Sequence, residues 1–243
     1  MTISREKITE QLARSTDKRA RAIAAGFPWI TGEIMEQFSS DKNSIVRSCV
    51  ASNPAISTSL LRQLTSDIAP HVRGAASAAL AIRENPPLVK ALEKDRPGSP
   101  TSTDYGLPEP QATLLHEARD AQTAPERLME LLNHGSEWVR ANVGFPNFAF
   151  GAELVDPESN RLTAELVKTL VNDESGLVRA AVARNPFTPA DSLRMLTADP
   201  DSRVLVMLSS NPSSPIDVLE EISQHGRLDY LKAIAWNPAL PDK

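Results

Sequence analysis

The sequence predicts an all-α, curved solenoid of about seven to eight short helical hairpins. An Asn-Pro pair recurs, and its last three copies are 26 residues apart, with prolines at 186, 212 and 238. Phe27-Pro28 lies 26 residues before the first Asn-Pro copy, and apolar residues recur with the same spacing. A fixed period of this length is typical of repeat proteins, in which each unit buries its apolar face against its neighbours. The Asn-Pro copies are Asn53-Pro54, Asn185-Pro186, Asn211-Pro212 and Asn237-Pro238.

The best-preserved copy, Asp173–Leu196, shows why each unit should be a hairpin. Val178 and Val182 are four residues apart and therefore share one face of a helix. Proline cannot continue that helix, so it should end near Asn185. Thr188-Pro189 and Ser214-Pro215 predict an N-cap with proline at the first position of a second helix.

The apolar positions of the two predicted helices match between copies. Val178, Val182, Leu193 and Leu196 correspond to Val46, Val50, Leu61 and Leu64, to Val204, Leu208, Leu219 and Ile222, and to Ala20, Ala24, Met35 and Phe38. We expect all of them to be buried. The last copy begins with Tyr230 and Ile234.

The pattern Val-Arg…Val-Ala-x-Asn-Pro…Leu-x-x-Leu-x-x-Asp resembles the leucine-rich repeat variant family. The resemblance covers most of the chain except about 96–111 and 147–160. It implies paired short helices and indicates almost nothing about activity. One type of member carries an iron–sulfur module with clustered cysteines, whereas Cys49 is the single cysteine here. The Asp…Val-Arg part is also similar to HEAT repeats. That analogy implies that Asp41/Arg47, Asp67/Arg73 and Asp173/Arg179, each six apart, form a ladder between neighbouring units.

The remaining elements follow in chain order. Residues 3–14, with Ile8 and Leu12 on one face, predict a capping helix that is the second half of an incomplete repeat. A fourth, degenerate unit uses Leu114, Ala118, Met129 and Leu132, and in the fifth either Trp138 or Val139 fills the position of Val178. The last hairpin lacks its second helix, so its end could be covered by its own tail, by a second copy or by a partner, and association through the C-terminal end is one hypothesis.

We therefore expect one solenoid over 1–243 with N-terminal repeats and a cap in 1–95, a loop or linker at 96–111, and C-terminal repeats in 112–243. The segment 96–111 is rich in Pro, Ser and Gly, which favours a loop. A second loop is expected as an insertion at 147–160.

Composition limits the function classes. The net charge is −5 and the pI about 5.5, which disfavours a general nucleic-acid-binding protein. No apolar run predicts a signal peptide or a membrane span, so a cytoplasmic location is expected. The four histidines have no metal-binding spacing, and no phosphate-binding glycine motif or nucleophile elbow is present. We expect no cofactor, no metal and no catalytic site, and Cys49 should be a buried small residue.

Three groups of residues are candidates for binding. A periodic row of arginines could contact phosphates or acidic peptides, or it could form the ladder, which we favour. The three tryptophans could anchor an interface, although we favour buried packing. The two phenylalanines of the inserted loop could contact a partner or fold back into the core. The candidates are Arg21, Arg47, Arg73, Arg140, Arg179, Trp29, Trp138, Trp236, Phe148 and Phe150.

These observations predict a noncatalytic scaffold that binds another protein through its concave face and inserted loops. The alternative is a HEAT-like protein that binds nucleic acid through the arginine row. The two differ in salt dependence, since phosphate contacts by several arginines weaken steeply with salt.

Overall fold

A computed structural model describes residues 3–84, 111–120, 122–145 and 163–242. Every regular element within these ranges is a helix, and the helices are short and follow one another in hairpins. The predicted all-α repeat fold is thus confirmed. The chain divides into two compact units, an N-terminal unit of residues 6–101 and a C-terminal unit of residues 1–5 and 102–243.

In the N-terminal unit, the first helices of successive repeats, α2, α4 and α6, pack side by side. The second helices, α3 and α5, pack against them as the other arm of each hairpin. Side-chain oxygens at the N-caps fix several helix starts, and Thr31 and Ser57 each accept the N–H three residues on. The helices are α1 (Arg5–Ala13), α2 (Lys18–Ala25), α3 (Gly32–Ser39), α4 (Ser44–Ala51), α5 (Thr58–Leu64) and α6 (Pro70–Glu84).

The C-terminal unit repeats this arrangement. Its first helices, α7, α9, α11, α13 and α15, pack in a row, and α8, α10, α12 and α14 are the second helices. They are α7 (Gln111–Arg119), α8 (Pro125–Leu131), α9 (Glu137–Gly144), α10 (Ala164–Val171), α11 (Gly176–Arg184), α12 (Ala190–Met195), α13 (Ser202–Ser210), α14 (Ile216–Gln224) and α15 (Leu228–Ala235).

The predicted apolar positions form the core of both units. Val46, Val50 and Leu61 are fully buried in the N-terminal unit, and Val178 and Val182 are fully buried in the C-terminal unit. The other matched residues of the regular copies, from Ala20 to Ile234, are also buried. The 26-residue period therefore identified the residues that stack from one repeat to the next.

The structure corrects the predicted buried positions in the fourth unit and decides between the two positions left open in the fifth. In the fourth unit the predicted Met129 is only half-buried, whereas Leu128 and Leu131 are buried. Leu132, the other predicted residue of the second helix, is buried as expected, so the prediction was wrong at Met129, whose place Leu128 takes. In the fifth unit Val139 is fully buried, so Val139, and not Trp138, fills the position of Val178.

The residues before Pro189 and Pro215 were assigned the wrong role. The N-cap positions of α12 and α14 are the prolines themselves, without a side-chain hydrogen bond. Thr188 instead turns inward, and its hydroxyl donates to the carbonyl of Val182 at 2.7 Å. Ser214 donates to the carbonyl of Leu208 in the same way. Each hydroxyl thus adds a second hydrogen bond to a carbonyl in the last turn of the first helix, which also accepts the N–H of Asn185 or of Asn211.

Candidate interaction surface

The arginine row lies where successive first helices meet, and the guanidiniums of Arg21, Arg47, Arg140 and Arg179 each join two repeats. Nε and Nη2 of Arg47 donate to the two carboxylate oxygens of Asp67 at 2.7 and 2.8 Å, and Nη1 donates to the backbone carbonyl of Asp41 at 2.7 Å. The same bidentate pairing recurs three times, and we call the four pairs the arginine–aspartate ladder. The others are Arg21–Asp41, Arg140–Asp173 and Arg179–Asp199.

The carboxylate partner of each arginine is not the aspartate six residues earlier. That earlier aspartate supplies only its backbone carbonyl, and the ion pair forms with the aspartate of the following repeat, as in Arg47 and Asp67. The aspartate also accepts the N–H of the residue two positions on, as Asp67 does from Ala69. Each aspartate therefore fixes its own turn and the neighbouring helix together.

The electrostatics of the ladder favour a structural role. The hydrogen bond from Arg47 lowers the pKa of the Asp67 carboxyl, and the same contact raises the pKa of the Arg47 guanidinium. The Arg47 side chain is only 12 % exposed. Binding of a phosphate by these four arginines would require their ion pairs to open, with loss of charge-assisted hydrogen bonds.

Within the described residues, Arg73 makes the backbone-carbonyl contacts of the ladder arginines but not the carboxylate contact. Its Nη1 donates to the carbonyls of Asp67 and Ile68. Residues 85–110 lie outside the described ranges.

A second ladder, which sequence reasoning missed, is built by the recurring asparagines. The amide of Asn211 donates to the carbonyls of Ala183 and Asn185 in the preceding repeat at 2.7 and 3.0 Å, and its oxygen accepts the N–H of Ser213. Asn237 makes the equivalent bonds to Ser209 and Asn211. With Asn53, bonded to Ala25 and Phe27, and Asn185, bonded to Gly144, these residues form the asparagine ladder.

The recurrence of asparagine before proline in four copies was the available signal for this ladder. A turn alone would also accept Asp, Ser or Gly. Only an amide supplies both donors for two carbonyls and an acceptor for its own turn. All four asparagines are buried, and their hydrogen bonds satisfy the buried backbone between repeats.

The structure places the three tryptophans in different surroundings. Trp29 is half-buried, stacks on Phe27 with ring centroids 4.9 Å apart and donates from Nε1 to the Thr9 hydroxyl. Trp138 and Trp236 are 45 % and 51 % exposed, so the expected burial of these two side chains was wrong. Trp138 precedes the buried Val139 on α9 and lies on the outer side of that helix.

Charged groups lie next to Trp138. Glu137, its neighbour in sequence, accepts a hydrogen bond from the Ser175 hydroxyl of the following repeat. The Glu174 side chain is almost fully exposed and is 3.7 Å from Arg140. The surface at the start of α9 therefore combines one large apolar side chain with exposed carboxylates.

The remaining predicted candidates add no further site. Phe148 and Phe150, like the rest of the loop at 147–160, lie outside the described residues. His134 replaces the ladder aspartate, and its Nδ1 accepts the N–H of Ser136. Cys49 is half-buried, and desolvation raises the pKa of its thiol.

Within the described ranges, no three His, Cys, Asp or Glu side chains are arranged to hold a metal ion. In the same part of the chain, no helix has the length and apolar character needed to cross a membrane.

Comparison with known protein families gives a match at one repeat. The sequence model of the leucine rich repeat variant family matches residues 176–201, which comprise α11, α12 and the turn that follows. No curated protein matches the chain. The match confirms the predicted resemblance at this repeat, and the stretch 176–201 is accordingly similar to a repeat of the leucine rich repeat variant family.

Proposed function

We propose that this protein is a noncatalytic repeat scaffold that binds another protein. The observation that supports it best is the exposure of Trp138. The other recurring side chains of its repeat pack in the core or belong to the arginine–aspartate ladder. Tryptophan is enriched among the residues that contribute most to binding at protein interfaces. The family of the matched repeat agrees with a scaffold, since helical repeats present extended surfaces for partners.

The periodic polar groups support a binding role over catalysis. Arg140, on the same helix as Trp138, and Arg179, on the first helix of the following repeat, are both held in bidentate ion pairs with aspartates. Their fixed hydrogen bonds leave no group of the ladder poised for proton transfer. Participation of a concave face and of the loops at 96–111 and 147–160 remains part of this proposal.

A photo-crosslinking amino acid at position 138 tests the proposal. The matched control places the same group at Met195, which is also exposed but belongs to a second helix, α12. We expect a discrete protein adduct in extracts of the native host from position 138 and none from position 195. The captured protein is then purified and titrated against wild-type protein and Trp138→Ala.

The affinities of the captured protein for wild type and for Trp138→Ala decide whether Trp138 belongs to the binding surface. Loss of an interface tryptophan typically costs about 2 kcal/mol, which corresponds to a dissociation constant about 30-fold higher for Trp138→Ala. Equal affinities of wild type and variant would contradict the proposed surface.

Nucleic-acid binding is the alternative outcome. It is tested by fluorescence anisotropy of labelled single- and double-stranded oligonucleotides at about 50 and 200 mM salt. Binding that weakens between these salt concentrations and drops in Arg47→Ala and Arg179→Ala would replace the scaffold proposal. The ion pairs of these two arginines predict no such binding.

A further inference from the structure

The N-terminal segment of the chain, Ile3-Ser4-Arg5, lies against the last repeat of the C-terminal unit. The backbone N–H of Ile3 donates to Oε1 of Glu220 at 2.8 Å, and the N–H of Arg5 donates to the carbonyl of Pro241 at 3.0 Å. Ile3 and Ser4 are both buried. Residues more than 200 positions apart in sequence are therefore joined by several hydrogen bonds.

The Arg5 guanidinium has well-defined acceptors in this repeat. Its Nε donates to the carbonyl of Ala235 at 3.3 Å, and its Nη2 donates to the carbonyl of Asn237 at 3.0 Å. Its Nη1 forms an ion pair with Asp242. Ala235 is the last residue of α15, so its carbonyl has no partner within the helix.

The equivalent pair of carbonyls in the preceding repeat accepts the amides of Asn53, Asn211 and Asn237. Asn237 donates to the carbonyls of Ser209 and Asn211. Adding the 26-residue period to 209 and 211 gives 235 and 237, the positions of Ala235 and Asn237. Arg5 thus makes the hydrogen bonds that an asparagine of a following repeat would make.

We propose that the carbonyls of Ala235 and Asn237 form a guanidinium-binding site at the end of the last described repeat, and that Arg5 is its ligand. The guanidinium is a planar fork with several N–H donors, and it can bridge two carbonyls as the two N–H bonds of an amide do. The site recognises the start of a helix that presents an arginine as its first residue, with Ile3 and Ser4 supplying backbone and buried contacts. Residues 3–5 thereby cover the end at which self-association was one hypothesis from the sequence.

The test measures hydrogen exchange of the amides from Lys232 to Asp242 in the full-length chain. Arg5→Ala is expected to accelerate exchange in this stretch while exchange in the Val46–Ala51 part of α4 stays unchanged. Ethylguanidinium, at concentrations well below denaturing ones, is then added to the variant. We expect it to restore the slow exchange, whereas equal concentrations of ethylammonium or sodium chloride should not.

Two control variants separate this site from an ordinary surface ion pair. Asp242→Asn removes the exposed ion pair of Arg5 but leaves both carbonyl contacts, so it should exchange nearly as slowly as wild type. Arg14→Ala removes only the exposed pair with Glu10 and should have no effect on residues 232–242.

Several outcomes would overturn the proposal. Unchanged exchange in Arg5→Ala would show that the guanidinium contributes nothing to this end. An equal effect of Asp242→Asn would assign the contribution to the ion pair. Accelerated exchange without selective rescue by ethylguanidinium would exclude a guanidinium-binding site.

Discussion

The asparagine ladder makes a direct prediction for the stability of the array, and Asn211 is the residue to change. It is 1 % exposed and joins two regular repeats through both ends of its amide. Asn211→Ala removes the donors to Ala183 and Asn185 and the acceptor for Ser213 without adding bulk. Three backbone groups, two of them in buried hydrogen bonds, then lose a partner at once.

The expected loss follows from these three bonds. A hydrogen bond contributes about 1 kcal/mol net to stability, and a buried group left without a partner costs about 1–3 kcal/mol. We therefore expect Asn211→Ala to lower the free energy of unfolding of the C-terminal repeats by about 3 kcal/mol. Asn211→Asp should cost more at neutral pH, because an ionised oxygen would then face two carbonyl oxygens.

Urea unfolding followed by circular dichroism measures the loss, and hydrogen exchange of α11 and α13 locates it. Local measurement is needed because repeat arrays do not always unfold in one step. The matched control is Asn172→Ala, whose amide makes one exposed hydrogen bond to the carbonyl of Lys168 within its own helix. A loss in Asn211→Ala no larger than in this control would refute the structural role of the ladder.

Two further predictions concern the aspartates. Because Arg47 lowers the folded-state pKa of Asp67, the pair adds stability above the unfolded pKa of about 3.9, and this stability is lost as the pH falls through the lower folded pKa. In urea unfolding at several pH values, the loss of unfolding free energy in Asp67→Asn should therefore shrink below about pH 4. A loss that does not depend on pH would contradict the ion pair's contribution. A Cβ added at Gly176 would lie 1.9 Å from a carboxylate oxygen of Asp201, so Gly176→Ala should cost about 1–3 kcal/mol in thermal unfolding. Gly74→Ala meets nothing within 4 Å and should be neutral or slightly stabilising, and equal shifts in the two variants would refute the steric argument.

The repeat fold and its core could be predicted because they depend on local spacing. Val178 and Val182 share a helix face whatever surrounds them, and the 26-residue period transfers that face to every copy. The prediction was wrong where the period is weak, as in the second helix of the fourth unit. There the adjacent Leu128, Met129, Leu131 and Leu132 allow two registers, and only packing against neighbouring helices selects one.

The polar contacts of the candidate surface were predicted less completely. A ladder of arginines and aspartates was expected, but sequence spacing pointed to the aspartate six residues away. The structure pairs Arg47 with Asp67, 20 residues on, because that carboxylate lies in the turn beside the next first helix. The exposure of Trp138 likewise depends on which side of α9 the neighbouring repeats cover.

By itself, the sequence determined that this protein is a helical repeat array, where its helices end, and which apolar residues fill its core. These features follow from helix geometry and from proline, which act over a few residues. Only the tertiary structure decided the partners of the buried polar groups, including the asparagine amides and the Arg5 guanidinium. Those bonds join residues 20 to more than 200 positions apart, and the hydrogen-bond geometry that selects them exists only once the repeats have packed.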